Sequence, residues 1–197
     1  MKSKYLLAGV GGLAIILTFL AGSVLFSRPY TFHGSLIDPP APAPEFALGD
    51  QNGETFRLSD QVGKVVLMYF GYTHCPDACP AAMTKFKRLH TDLGRDADSV
   101  RFVLVTVDPE RDTPDRLREY LAGFDPAFIG LTGSFLDLDL VYRSYGVYQA
   151  IPVPGPEYLV DHTDRFYAID PQGNLRLTYT TDTPVADLVQ DLRELLK

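Results

Sequence analysis

The sequence predicts an α/β domain built on parallel strands, and three observations carry that expectation. Lys64-Val65-Val66-Leu67-Met68-Tyr69-Phe70 is an unbroken apolar run between Gly63 and Gly71, the pattern of a strand buried on both faces. A second such run, Val100 to Val107, follows after a segment in which Met83, Phe86, Leu89, His90 and Leu93 recur at three- and four-residue steps and Gly94 stops the pattern. That spacing is an amphipathic helix. Each strand also runs into a short polar loop before the next helix, which is how open parallel sheets present their sites at the carboxyl ends of strands.

From the N-terminus, Tyr5 to Phe26 carries no charge and is long enough to cross about 30 Å of hydrocarbon as a helix. Lys2 and Lys4 precede it and oppose export of the short arm. Residues 1–28 are therefore expected to form a retained, single-pass membrane anchor with its N-terminus cytoplasmic. Everything after Arg28 is then outside, in the periplasm if the membrane is a bacterial inner membrane. A cleaved signal peptide is the rival, because Ala21, Gly22 and Ser23 are small, but no A-x-A site closes the run. Residues 29–44 read as a tether. Pro39-Pro40-Ala41-Pro42-Ala43-Pro44 suits an extended polyproline stalk, and His33 within it reads as a solvated side chain.

The domain proper is expected over residues 45–197. Phe46 and Leu48, then Asp50-Gln51-Asn52-Gly53, then Phe56 and Leu58 suggest two short strands about an Asn-Gly turn. Thr113-Pro114, an N-cap followed by proline at the first helical position, opens a helix to Gly123 after the polar loop Asp108 to Asp112. Phe128 to Leu131 is a third strand, and Ser134 caps a helix through Tyr145 that Gly146 ends. Val147 to Val160 is irregular and rich in proline and tyrosine. Arg165 to Asp170 and Asn174 to Tyr179 form a hairpin around Pro171-Gln172-Gly173, and a last helix follows Thr183-Pro184. Strand, helix, strand, helix, then a connecting helix, a hairpin and a closing helix is the thioredoxin arrangement.

Residues 29–197 carry 15 basic against 25 acidic side chains, a formal charge of −10. Such a field repels phosphate backbones and excludes nucleic-acid binding as the task. A partner with a basic docking face is compatible with it.

The chain has only two cysteines, Cys75 and Cys79, in Gly71-Tyr72-Thr73-His74-Cys75-Pro76-Asp77-Ala78-Cys79-Pro80. Two thiols are too few for a structural zinc site and make no disulfide framework. The four-residue spacing lets the sulfurs meet, either to oxidise to a bridge or to clasp one soft metal ion. Packing as two small buried hydrophobes fits less well with the prolines and aspartate around them. Pro76 and Pro80 cannot both lie deep in one helix, so Cys75 belongs to the loop and Cys79 to the helix entrance, where free N–H groups favour thiolates.

The loop before the hairpin reaches the same sheet edge and ends at His162, which can meet the sulfurs there. Two thiolates and a neutral imidazole form a soft three-coordinate set suited to Cu(I), and an added water or carboxylate completes a Cu(II) sphere. The other reading of His162 is a turn residue satisfied by hydrogen bonds. Met83 reads as core, and His90 as a flank residue. Asp77 and Asp161 are explained as well by turns and capping as by a role at the site, and Asp108, which could orient the second loop, reads better as a turn carboxylate near Arg111. Tyr142, Tyr145, Tyr148 and Tyr158 suggest either ordinary packing or an apolar apron.

Three stretches, Gly71 to Pro80 (GYTHCPDACP), Thr106 to Pro114 (TVDPERDTP) and Tyr158 to Thr163 (YLVDHT), resemble the Sco/SenC family of membrane-anchored, thioredoxin-like copper proteins. The likeness runs from about Pro44 to the C-terminus and extends to the single anchor. It implies that Cys75, Cys79 and His162 bind copper, and that the chain helps assemble the dinuclear copper centre of a haem-copper oxidase subunit as a binding protein without turnover. Other copper chaperones or thiol reductases are further partners it brings in. The family is also credited with thiol-disulfide activity, for which Cys75 and Cys79 would be the reacting pair. A peroxiredoxin-type peroxidase fits the strand and loop pattern, but such enzymes carry threonine three residues before the reactive cysteine, where this chain has Tyr72.

Overall fold

A computed structural model describes residues 30–153, 155 and 157–197. The expected anchor, 1–28, lies outside the described residues; among those described, no helix is long and apolar enough to cross a membrane. The sheet is built from β1 (Ser35–Pro42), β2 (Ala47–Asp50), β3 (Thr55–Arg57), β4 (Val65–Gly71), β5 (Val100–Thr106), β6 (Ile129–Thr132), β9 (Arg165–Ile169) and β10 (Asn174–Thr180), in the order β1-β10-β9-β4-β5-β6-β2-β3. The three central strands β4, β5 and β6 are parallel, while β9 lies antiparallel to β4. Helices α1 (Ala78–Leu93), α2 (Pro114–Ala122), α3 (Phe135–Ser144) and α4 (Val185–Leu195) complete this thioredoxin-like α/β fold.

The local signals act where expected. Every residue of β4 is buried. Gly53 turns the β2–β3 hairpin with φ +82°. The Thr113 and Ser134 side chains accept the Arg116 and Asp137 N–H groups at 3.2 Å and so cap α2 and α3. Phe86, Phe102, Phe128 and Phe166 pack edge-on or tilted at 5.3–5.8 Å between α1 and the sheet, and Met83 is core.

The stretch expected as a stalk differs. Ser35–Pro42 is an outer strand, paired with β10 through Ser35↔Thr178, Leu36↔Leu177, Ala41↔Leu175 and Pro42↔Asn174. The register breaks between Leu36 and Ala41, across Pro39 and Pro40, which have no N–H to give. An edge needs donors on one side only, so a proline-rich segment is tolerated there and also blunts the edge. His33 is correspondingly not a merely solvated side chain. Its ring Nδ1 lies 2.9 Å from Asp191 Oδ1 on α4, and the His33 and Gly34 N–H groups donate to Asp191 Oδ2 at 2.9 and 3.0 Å.

The irregular segment after α3 also holds more order than expected. Gln149–Ala150 (β7) pairs with Asp161–His162 (β8) as a short antiparallel ribbon. That ribbon sets His162 beside the carboxyl end of β4.

Candidate metal centre

The site begins where β4 ends. Gly71 has no room for a side chain: a Cβ there would stand 2.7 Å from Tyr69 Cε1 and 3.0 Å from Cys79 Sγ. The chain then turns through Tyr72 to Asp77, and α1 starts at Ala78, which puts Cys79 in the first helical turn and fully buried. The Cys79 N–H donates to Cys75 Sγ at 3.4 Å, and the Tyr72 N–H donates to Cys79 Sγ at 3.5 Å. One sulfur therefore sits at a helix N-terminus, half-buried, and the other is sealed beneath it.

The pair shares a proton unequally. The hydrogen bond from Cys79 holds the Cys75 thiol well below the ordinary thiol range, against a smaller opposing effect of burial, and the Cys79 and Asp77 N–H groups add to it. The same bond, with burial, pushes Cys79 far up. Cys75 is the thiolate and Cys79 keeps the proton.

His162 closes the site from a position 83 residues along the chain, with Nε2 3.6 Å from Cys79 Sγ. Its Nδ1 lies 3.1 Å from the Thr163 carbonyl oxygen, which can only accept, so Nδ1 carries the hydrogen and Nε2 offers a lone pair toward the sulfur. The imidazole stands edge-on to Tyr69 at 6.0 Å and to Tyr72 at 5.9 Å. Hydrogen bonds link the three side chains, and none of the described His, Cys, Asp and Glu residues forms a group of three or more already spaced around one ion. The donor set suits a soft cation: two sulfurs, and a nitrogen whose tautomer is fixed by its outer hydrogen bond.

Residues that sequence reasoning missed hold this arrangement. Asp112, buried, accepts the Thr73 hydroxyl at 2.7 Å, the Thr73 N–H at 3.1 Å and the Thr106 hydroxyl at 2.6 Å, and so ties the cysteine loop to the β5 exit loop. Burial pushes the Asp112 carboxyl up, and those hydrogen bonds pull it back. The Tyr69 hydroxyl donates to Asp164 Oδ1 at 2.7 Å, while Thr181 donates to Asp164 Oδ2 at 2.5 Å. A buried tyrosine hydroxyl in an otherwise apolar strand needs a partner, and that was the available signal for Tyr69.

Asp108 is the turn carboxylate near Arg111 that the sequence suggested, accepting its Nε at 2.5 Å, but it also accepts the Tyr158 hydroxyl at 2.6 Å. Arg111 lies 3.6 Å over the Tyr158 ring. This clip joins the second motif to the segment that bears His162, and the Val160 N–H donating to Tyr72 Oη at 3.2 Å joins that segment to the first. Of the four tyrosines, Tyr142 and Tyr145 are core residues bonded to the Thr106 and Pro44 carbonyls, Tyr158 is the clip and Tyr148 is exposed. His90 is engaged by Asp125 at 3.0 Å, away from the sulfurs. Asp77 and Asp161 are exposed.

The family model described as SCO1/SenC matches residues 36–197. Mitochondrial protein SCO2 of Saccharomyces cerevisiae is 42% identical over 132 residues; the match takes in 65% of this chain but spans only 44% of the yeast protein. Bradyrhizobium japonicum ScoI, solved with copper bound, superposes with a TM-score of 0.73 at 36% identity, over 79% of this chain and 99% of that one. BsSco, described as having a disulfide switch and as a member of the Sco family of cytochrome c oxidase assembly proteins, superposes with a TM-score of 0.64 at 26% identity, over 80% of this chain and 95% of that one. With a family model matched over most of its length, the chain belongs to the SCO1/SenC family.

Proposed function

We propose that this protein is a copper metallochaperone that holds copper on Cys75, Cys79 and His162 and passes it to the copper-centre subunit of a haem-copper oxidase. The observation that carries the reading is the 3.6 Å approach of His162 Nε2 to Cys79 Sγ with Nδ1 tied to a backbone carbonyl. A turn histidine without a ligand's task has no need of that tautomer or of a thiol opposite its lone pair. Copper-bound ScoI and the oxidase-assembly description of BsSco support the choice of cargo and of recipient. Residues 1–28 serve as the anchor, with the domain on the periplasmic side. Anaerobic titration of the reduced full chain with Cu(I) tests the metal reading: one equivalent should bind tightly, and a disulfide between Cys75 and Cys79 should release it. Copper retained after both cysteines become serine would sink the assignment.

A second reading rests on the inequality of the two thiols. A half-exposed Cys75 thiolate above a protonated Cys79 is the arrangement of a thiol-disulfide reductant. Cys75 would attack a partner disulfide and expel one partner thiolate. Cys79, losing its proton, would then resolve the mixed disulfide, leaving the partner dithiol and a Cys75–Cys79 bridge. This reading needs no imidazole ligand, so His162 separates the two.

A further inference from the structure

Of the four histidines, two spend a ring nitrogen on a carboxylate: His33 Nδ1 on Asp191 at 2.9 Å and His90 Nδ1 on Asp125 at 3.0 Å. The other two are tied to uncharged oxygens. His162 Nδ1 lies 3.1 Å from the Thr163 carbonyl oxygen, and His74 Nδ1 lies 3.1 Å from Thr73 Oγ1. His162 is a ligand of the proposed copper site. His74, next to Cys75 in the chain, has no task in it.

The His74 tautomer follows from the hydrogens around Thr73. That hydroxyl has one hydrogen and gives it to Asp112 Oδ1 at 2.7 Å, so every other group that meets Oγ1 must donate. Arg116 Nε does so at 3.1 Å, and His74 Nδ1 does the same. In the uncharged ring the lone pair is then on Nε2, as it is in His162. The His74 side chain is 41% exposed, and no hydrogen bond or ion pair among the described residues engages its Nε2. The neighbouring carboxylate Asp112, 3.8 Å from Nδ1, is spent on two hydroxyls and the Thr73 N–H, and Arg116 is paired with Glu119 at 3.2 Å.

The two histidines hold the cysteine loop from opposite sides. β4 lies between β5 and β9; Asp112 and Arg116, which fasten Thr73 and His74, follow β5, whereas His162 leads into β9. Exposure falls in step along the loop's ligands. His74 is exposed, Cys75 half-buried, and Cys79 sealed with its proton. An ion arriving from solvent therefore meets His74 and Cys75 before it can meet Cys79. A lone thiolate is a poor match for a carrier that grips Cu(I) with two donors, while a thiolate with an imidazole equals it in number and softness.

We infer that His74 and Cys75 form a receiving site for Cu(I) on the solvent side of the metal centre. The imidazole Nε2 and the thiolate displace the carrier's ligands. The ion then passes inward with Cys75 as the shared ligand, Cys79 and His162 replace His74, and Cys79 gives up its proton to solvent as it binds. This rests on the copper reading above and adds the route by which the ion enters.

The test uses the reduced full chain in phosphatidylcholine nanodiscs without oxygen, with Cu(I) bicinchoninate as the copper source. Loading and release are followed by stopped flow, and affinity by equilibrium competition with the same chelator. His74→Asn places an amide N–H where Nδ1–H stood, which keeps the bond to Thr73, and removes the Nε2 lone pair. Loading and release should both slow by at least about tenfold while affinity stays within about threefold, because a ligand used on the path and not in the final site changes both rates alike. His74→Met loses the Thr73 bond but supplies a soft thioether, and should load at least about three times faster than His74→Asn. Loading of His74→Asn at the parent rate overturns the receiving site. So does a loss of affinity as large as the loss of rate, which would make His74 a ligand of the final site. Equally, His74→Met loading as slowly as His74→Asn would make the effect structural and overturn it. In each of these cases the chain still binds copper, so the reading above stands; a parent that takes no Cu(I) at equilibrium removes that reading and the receiving site together.

Discussion

The loops that leave β4 and β5 start side by side at the carboxyl edge of the sheet and end in opposite conditions. The first carries Cys75 half-open to solvent, its thiolate held by one thiol and helix-end N–H groups. The second carries Asp112 wholly enclosed, its carboxylate occupied by two hydroxyls and an N–H group. An anion left half-open to solvent is poised to bind something. An anion fully coordinated inside the protein is a fastener. The neighbouring loop fastens the reactive loop at Thr73, two residues before Cys75.

If that division holds, the two loops should fail differently. Cys75→Ser should abolish tight Cu(I) binding, since a hydroxyl cannot replace a soft thiolate, while leaving stability to urea within about 1 kcal/mol because the side chain is half-exposed. Asp112→Ala should do the reverse first: unpairing three buried donors should cost about 3 kcal/mol in urea unfolding, with copper affinity reduced only as the loop loosens. Asp112→Asn, which keeps one acceptor oxygen, should recover part of that loss. A stable Asp112→Ala protein with full copper affinity would show that the fastener is dispensable.

Tyr69 tests the boundary between the two kinds of group. It packs edge-on to His162 yet spends its hydroxyl on Asp164. Tyr69→Phe keeps the ring and removes a bond that reaches Asp164 and no ligand, so copper affinity should fall by about 3–10-fold, less than the roughly 10–100-fold of a hydrogen-bond partner to a ligand. No change in affinity, with stability lowered, would place Tyr69 with the fasteners.

The smallest effect is expected far from both loops. Asp191 raises the His33 pKa above its usual 6.5 through their hydrogen bond. The folded protein therefore binds the protonated ring more tightly than the unfolded chain does. That stabilisation is complete below pH 6.5 and fades as the pH climbs through the raised value. The urea midpoint of the parent should exceed that of His33→Gln by a margin that is full below pH 6.5 and shrinks as the pH rises above it. An unchanged margin would mean that the Asp191 bonds to the backbone N–H groups alone seat the N-terminal strand.

What the sequence reveals follows the range of the interactions. β4 is legible because seven consecutive buried residues need no partner to be recognised, and α2 and α3 because their caps are local. β1 is not, since proline-rich sequence describes a stalk and an edge strand equally, and the strand that decides between them lies more than 130 residues away. The sulfurs stand out by scarcity alone. His162 is reachable by following the topology to one sheet edge. The clip of Asp108, Arg111 and Tyr158 and the Asp112 fastener join separate motifs, so each residue alone looks like an ordinary turn or cap.

The central claim, a three-ligand copper site used for delivery, is tested most directly by His162→Ala, read for copper and for oxidase in the same strain. Removing the only nitrogen ligand should lower Cu(I) affinity by at least about a hundredfold, beyond what an outer-sphere change produces. Oxidase assembly should fail in cells that rely on the variant. Disulfide reduction by Cys75 and Cys79 should stay within about tenfold of the parent, because the exchanging nucleophile is a thiolate and needs no imidazole ligand. Normal oxidase assembly alongside lost copper binding would contradict the account and make the protein a thiol reductant whose metal site is incidental.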